Sequence, residues 1–338
     1  MWREYALSAW CSGNRRLKPL NQFAGQDALN DVLAHLHVRG AVYCRSDLRP
    51  PWAFSMERKP IGGFHAIARG KGWLEVEGEK QKIEVGRGDL IVLPHGHAHS
   101  LRDTPTTSST PLEEIIAKNP LEDGIRLRMG NRGPITVLLC GGFQLEGQST
   151  HPLLANLPNV IHIRGRNGSA ASWVRSTLRQ IEMETRVIRP GAQTLIAKLS
   201  DILFIQVIRA YFNSQAAGRD DRWVRALKDP QIGMAITNIH GQPENAWTVT
   251  SLAARVGMSR STFAAKFTGL VGEPPLRYVA RWRAHKATWY LRTSDEKLSE
   301  IARRVGYESE ISLSRVFKRF MGMSPGAYRK TRLHQIFH

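Results

Sequence analysis

The sequence predicts an α+β chain: a small antiparallel β-barrel or sandwich with a helical extension, followed by an all-helical C-terminal third. Three observations predict it. Short apolar runs punctuated by Gly, Pro and charge fill residues 39–103. A helical period takes over after Gly168. Near the C-terminus a helical hairpin occurs twice, its copies offset by 49 residues before the turn and 50 after it.

The chain has 338 residues, enough for two or three domains that each bury a core. Its 42% hydrophobic content excludes disordered and collagen-like classes. A net charge of +19 points to a polyanion, with nucleic acid ahead of an acidic membrane surface. From Lys228 to His338, 18 Lys and Arg stand against 8 Asp and Glu, about twice the charge density of the preceding chain. The C-terminal third is therefore where a phosphate-binding surface is sought. Cys11, Cys44 and Cys140 form no CxxC pair, which fits a reducing cytoplasm. The N-terminus lacks a signal-like apolar stretch. The most apolar helix, from Leu195 to Phe212, is interrupted by Lys198, Asp201 and Arg209 and reads as buried or dimer-forming. The expectation is a soluble cytoplasmic bacterial protein with no membrane partner.

Taken in order, residues 1–26 have no period and read as a flexible tail. Asp27 to His37 is helical through Ala28, Leu29, Val32, Leu33 and Leu36. Strands are read at 41–43, 63–67, 72–76 and 90–93. Thr104 to Pro111 reads as a surface loop, and a further strand from Ile135 to Cys140 ends at Gly141-Gly142. Trp173–Glu184 and Ala192–Asn213 read as helices separated by Arg189-Pro190-Gly191, in support of coupling, of a dimer or simply of the core. Ala217–Asp221 is a polar break, and everything after Trp223 reads as helix.

One copy of the repeat runs Leu252-Ala253-Ala254-Arg255-Val256-Gly257-Met258-Ser259, then Phe263, Phe267, Gly272, Pro275 and Tyr278. The other runs Ile301-Ala302-Arg303-Arg304-Val305-Gly306-Tyr307-Glu308-Ser309, then Leu313, Phe317, Gly322, Pro325 and Tyr328. Each reads as helix-turn-helix. Gly257 and Gly306 let the chain leave the first helix. Ser259 and Ser309 cap the second. Phe263/Phe267 and Leu313/Phe317 form its buried face.

At these residues the region from about Trp247 to Lys330 resembles the DNA-binding domain of AraC-type transcription regulators. The resemblance implies two helix-turn-helix units joined by a long helix, here about Leu276 to Leu291, entering two successive major grooves of double-stranded DNA. It carries base reading to Ser261, Thr262, Ala264 and Ala265 in the first unit, and to Glu310, Ile311, Ser312, Ser314 and Arg315 in the second. Ala264 and Ala265 depart from the usual long polar residues. They can meet a thymine methyl but cannot form bidentate hydrogen bonds. Arg260 and Lys266 are expected on phosphate, Arg315 on guanine, and Ser259, Ser309, Lys318 and Arg319 complete the expected surface.

Gly88-Asp89-Leu90-Ile91-Val92-Leu93-Pro94-His95-Gly96-His97-Ala98-His99 resembles the second cupin motif. With the C-terminal match, the chain from about Asp27 looks like an AraC-family regulator with a cupin-like sensor domain. The expected division is a tail at 1–26, an effector-sensing domain at 27–168, a helical dimerisation or coupling segment at 169–217, a linker at 218–230 and the DNA-binding domain at 231–338. A pocket lined by His65, Trp73 and His99 is expected to take a small-molecule effector. No cofactor is required, because the first cupin motif has His65-Ala66-Ile67 where metal cupins carry His-x-His. Zinc held by some set of His65, His97, His99, Cys140 and His151 stays open beside a purely structural role. The implied partners are promoter DNA, RNA polymerase and a second copy, with activation as the expected sign. The alternative class is a metal-dependent cupin enzyme, a dioxygenase or isomerase, with a basic helical appendage.

Overall fold

The computed structural model describes residues 29, 33, 38–145, 157–165, 168–187, 189–214 and 222–334. The expected tail, His151 and Cys11 lie outside these residues. Of the first expected helix, Leu29 and Leu33 are described and helical. The chain divides into two compact units, one carrying the strands and the other most of the C-terminal helices.

In the first unit the strands are β1 (Val38–Leu48), β2 (Ala53–Met56), β3 (Gly62–Arg69), β4 (Lys71–Val76), β5 (Ile83–Gly86), β6 (Leu90–Leu93), β7 (His99–Arg102), β8 (Thr110–Pro111), β9 (Arg126–Met129), β10 (Thr136–Leu145) and β11 (Ile161–Ile163). They make two sheets, in the order β11-β6-β3-β10-β1-β9 and β5-β4-β7-β2-β8. Most neighbours are antiparallel, but β9 runs parallel to β1 and β8 parallel to β2. One core joins the sheets: Leu48, Ile67, Ile91 and Leu138 come from the first, and Phe54, Leu74, Val85 and Leu101 from the second. Each such side chain, fully buried, contributes about 1.5–3 kcal/mol.

Two expectations here are corrected. The strand expected to end at Gly141-Gly142 continues to Leu145, because both glycines stay paired to β1 and β3. The end of the expected 104–111 loop pairs with β2 as β8.

After a short helix α1 (Leu112–Lys118), two long helices follow: α2 (Gly168–Arg186) and α3 (Ala192–Asn213). They do not stand free as a separate segment. Phe143 of β10 packs on Phe64 of β3 and on Phe204 of α3, with ring centroids 5.0 and 4.9 Å apart. The approach of α3 to β1 needs a glycine, since a Cβ on Gly40 would lie 2.4 Å from Ser200 Cβ. The Gly40 N–H donates to Asp201 Oδ1 at 2.8 Å. The helices thus cover the outer face of the six-stranded sheet.

The linker expected at 218–230 contains a helix, α4 (Arg222–Lys228), with Trp223 and Leu227 buried. The later helices are α5 (Pro230–Gly241), α6 (Val249–Arg255), α7 (Arg260–Val271), α8 (Pro275–Thr293), α9 (Leu298–Arg304), α10 (Glu310–Met321) and α11 (Pro325–His334). Asp229 caps α5, its Oδ1 accepting from the Gln231 and Ile232 N–H groups at 3.1 and 3.0 Å. No described helix is long and apolar enough to cross a membrane.

Candidate nucleic-acid interface

The repeat in the sequence is a repeat in the geometry. In the first unit Ala253 O accepts from Met258 N–H at 2.9 Å as the chain leaves α6 through Gly257, φ 67°. In the second, Ala302 O accepts from Tyr307 N–H at 2.8 Å as it leaves α9 through Gly306, φ 89°. Ser259 Oγ then caps α7 by accepting from Thr262 N–H at 3.2 Å, and Ser309 Oγ caps α10 from Ser312 N–H at 3.2 Å. Phe263 and Phe267, and Leu313 and Phe317, are fully buried. The extra residue of the second turn, between Gly306 and Ser309, changes the offset without changing the capping geometry.

The long helix α8 has 19 residues and so spans about 28 Å, comparable with one DNA turn of about 34 Å. Its buried stripe includes Tyr278 and Trp282. His240 of α5 stacks on Trp282 at 3.6 Å between centroids, and its Nε2 lies 2.7 Å from the Tyr278 hydroxyl. Arg283 ties α8 to the second turn. Its Nε donates to Pro243 O at 2.8 Å, its Nη2 donates to Asn245 O at 2.7 Å, and its guanidinium lies 5.2 Å from the Tyr307 ring centre. Desolvation lowers this arginine's affinity for its proton, against the neighbouring Tyr307 and Glu244, which raise it.

Above these scaffolds lie the expected DNA-binding residues. On α7 Arg260, Ser261, Thr262 and Ala265 are exposed and Ala264 is half-buried. On α10 Glu310, Ile311, Ser312, Arg315, Lys318 and Arg319 are exposed and Ser314 is half-buried. Ile311 is 70% exposed, unusual for so apolar a residue in a folded domain. Lys266 departs from expectation. Its ammonium lies 2.8 Å from Asp229 Oδ2 and donates to Gln231 Oε1 at 3.0 Å, so its charge is committed inside the protein rather than held for phosphate. The lysine and the other contacts hold the Asp229 carboxyl below its ordinary range, against the desolvation that raises it. Sequence reasoning missed Asp229 and Arg283. The Asp-Pro pair at 229–230 was a readable helix-start signal for the first, whereas nothing local marks the second.

In the barrel the histidines form a directed proton chain. The His97 carbonyl can only accept, so His99 Nδ1 carries its proton toward it at 2.8 Å. With His99 neutral, its Nε2 accepts from His65 Nε2–H at 2.7 Å, and His65 Nδ1 accepts from the Cys140 thiol at 3.1 Å. Burial first, and then the neighbouring His99, hold His65 well below the ordinary imidazole range. Burial first, and then Cys44, push the Cys140 thiol well up. Every group is thereby neutral.

This arrangement bears on the open zinc reading and corrects the expected pocket. Cys140 and His99 occupy opposite nitrogens of the His65 ring, so the three cannot share one ion. His97 turns to His95 instead, with ring centroids 5.8 Å apart. Among the described residues, no group of three His, Cys, Asp or Glu side chains is arranged to hold a metal. Nor do His65, Trp73 and His99 line one pocket. Gly72, Leu74 and Val76 are the buried residues of β4, which puts Trp73 on the other face beside Glu75. The two histidines sit among closely packed side chains: His65 is 2% exposed, His99 is 9% exposed, and Phe54 lies 6.4 Å from the His65 ring.

Comparison with known proteins accounts for both units. Residues 27–213 match a family model described as cupin, and residues 252–331 match one described as a helix-turn-helix domain. The chain is similar to a putative AraC-like transcription regulator of Streptomyces lividans, 36% identical over 90% of this chain and 98% of the relative. It is also similar to the HTH-type transcriptional regulator AlkR of Acinetobacter baylyi, 31% identical over 90% of this chain and 99% of that one. Among solved structures, the DNA-binding domain of AdpA in complex with a target DNA is 35% identical. That match covers 32% of this chain and 99% of that chain, at a TM-score of 0.31.

Proposed function

Because the chain belongs to the AraC-like transcription regulators, we propose that both of its helix-turn-helix units engage one promoter at once, in successive major grooves. It is a DNA-binding regulator with a cupin-like ligand-binding domain, and not an enzyme. The observation that carries the two-groove reading is the recurrence of one buried scaffold under two exposed helix faces. In this reading Arg315 reads guanine, Ile311 meets a thymine methyl, and Arg260, Lys318 and Arg319 hold phosphates. Ala264 and Ala265 leave the first unit to methyl contacts and backbone positioning.

The finer reading is an activator that works in the cytoplasm, responds to a small molecule and contacts RNA polymerase. A relative at 26% identity is named a transcriptional activator, which supports the sign. Pairing of two copies is supported by exposed apolar residues on α2 and α3, among them Trp173, Met183, Leu195 and Ile202.

A footprint on the DNA upstream of the protein's own gene tests the proposal. Two protected patches centred about 10 base pairs apart on one face are expected. Binding is expected to weaken steeply as salt rises, because counterions are released on binding. A single patch, or equal affinity for scrambled DNA, refutes it.

A further inference from the structure

Between the six-stranded sheet and α2 lies a cleft of about 300 Å³, at the low end of the range for small-molecule sites. Its origin is a change of side-chain size along β3. Phe64, Ala66 and Ala68 share the helix-facing side of that strand. Phe64 fills its space against Phe143, whereas the two alanines leave theirs open beside Leu139 and Leu178. The floor of the cleft is therefore apolar.

Its rim is cationic. Arg87, Arg175 and Arg179 border it, and Glu182 is the one acidic residue lining it among the described residues. That carboxylate is already engaged, 2.8 Å from Arg186 Nη2 and 3.6 Å from Arg45 Nη1. Arg175 is fixed in place by donating from Nη1 to the Gly165 carbonyl. Arg87 and Arg179 make no ion pair with any described residue. An apolar slot with unmatched guanidiniums at its mouth is complementary to an amphiphilic acid: planar carboxylate at the rim, hydrocarbon below.

We propose that this cleft, and not the filled barrel interior, is the effector site, and that it takes a small organic carboxylate with an apolar body. The proposal rests on the reading of the first unit as a ligand-binding domain and names both the place and the chemistry. The α2 helix, as one wall of the cleft, is then the element that senses occupancy.

Thermal unfolding of the full chain tests it, with benzoate and octanoate as probes and benzamide and octanamide as uncharged matches. At about 10 mM the acids are expected to raise Tm by about 3 °C or more, and the amides not at all. The rise is expected to vanish in Arg87→Gln/Arg179→Gln, which removes exposed charge only, and in Ala68→Leu, which fills the slot. No rise with either acid overturns the proposal, as does an equal rise in the double variant. An equal effect of inorganic phosphate overturns the apolar half of it. Operator binding by the wild-type chain is read separately, with and without the acids, so that its absence under both conditions counts against the DNA reading and not against the cleft.

Discussion

Phe267 meets Tyr278 at 5.6 Å and 75°, and Phe317 meets Tyr328 at 5.5 Å and 76°. Arg281 lies over the first tyrosine and Arg292 over the second. Beneath their surfaces the two helix-turn-helix units are nearly one object. On those surfaces little is shared: Ala265 stands where Arg315 stands, Thr268 where Lys318 stands, and the paired Lys266 where Val316 stands. The positions that stay alike answer to backbone geometry and packing, which allow few solutions. The positions that differ are exposed or half-buried, and in the proposed reading they answer to a duplex whose sequence need not repeat. In that proposed reading the second unit discriminates between bases and the first serves placement.

Seven substitutions can break or sharpen that contrast. If the scaffolds are equivalent, Phe267→Ala and Phe317→Ala each cost about 3–5 kcal/mol in denaturant unfolding. A large difference between them would break the equivalence. The turn glycines are expected to separate. Gly257→Ala meets only its positive φ and costs about 1–2 kcal/mol. Gly306→Ala also brings a Cβ to 2.7 Å from the Pro243 carbonyl and from Arg283 Nη2, and is expected to cost about twice as much. Next, Arg315→Ala is expected to cost about 1–3 kcal/mol on the preferred operator and to relax one base position in a binding-site selection. Equal loss on every sequence would make Arg315 a phosphate contact. The smallest effects are electrostatic. Arg260→Ala is expected to lower the slope of log K against log salt by about 1. Lys266→Ala is expected to leave that slope unchanged while altering stability by under about 1 kcal/mol.

What could be read in advance followed from locality. The repeated Gly, Ser and Phe positions, and helix α3 with its bounds at Ala192 and Asn213, rest on short-range patterns, and the structure contains them. The alternation of Leu74, Glu75 and Val76 also contained the direction of Trp73, a signal overridden by the attraction of an aromatic residue for a pocket. The commitment of Lys266 to Asp229 was not legible, because 37 residues of chain separate them. The cleft was still less so. Its alanines and Arg179 are more than a hundred residues apart in sequence, and neither residue type signals a site alone. The histidine chain was half legible. His65, His99 and Cys140 stand with His97 and His151 in one candidate ligand set, but ring orientation, which converts part of that set into a hydrogen-bonded series, appears only in three dimensions.

That series has a consequence for reactivity. Cys44 and Cys140 face each other across β1 and β10, both buried. The Cys140 proton is directed to His65, and both thiols are held above their ordinary range. Thiolate is the species that alkylating reagents attack, so in the folded barrel neither sulfur is available to them. In a Cys11→Ser background, the pace at which iodoacetamide modifies the remaining pair at fixed pH becomes a clock for opening of the central strands. It would record the private breathing of one unit while the other holds, or releases, its promoter.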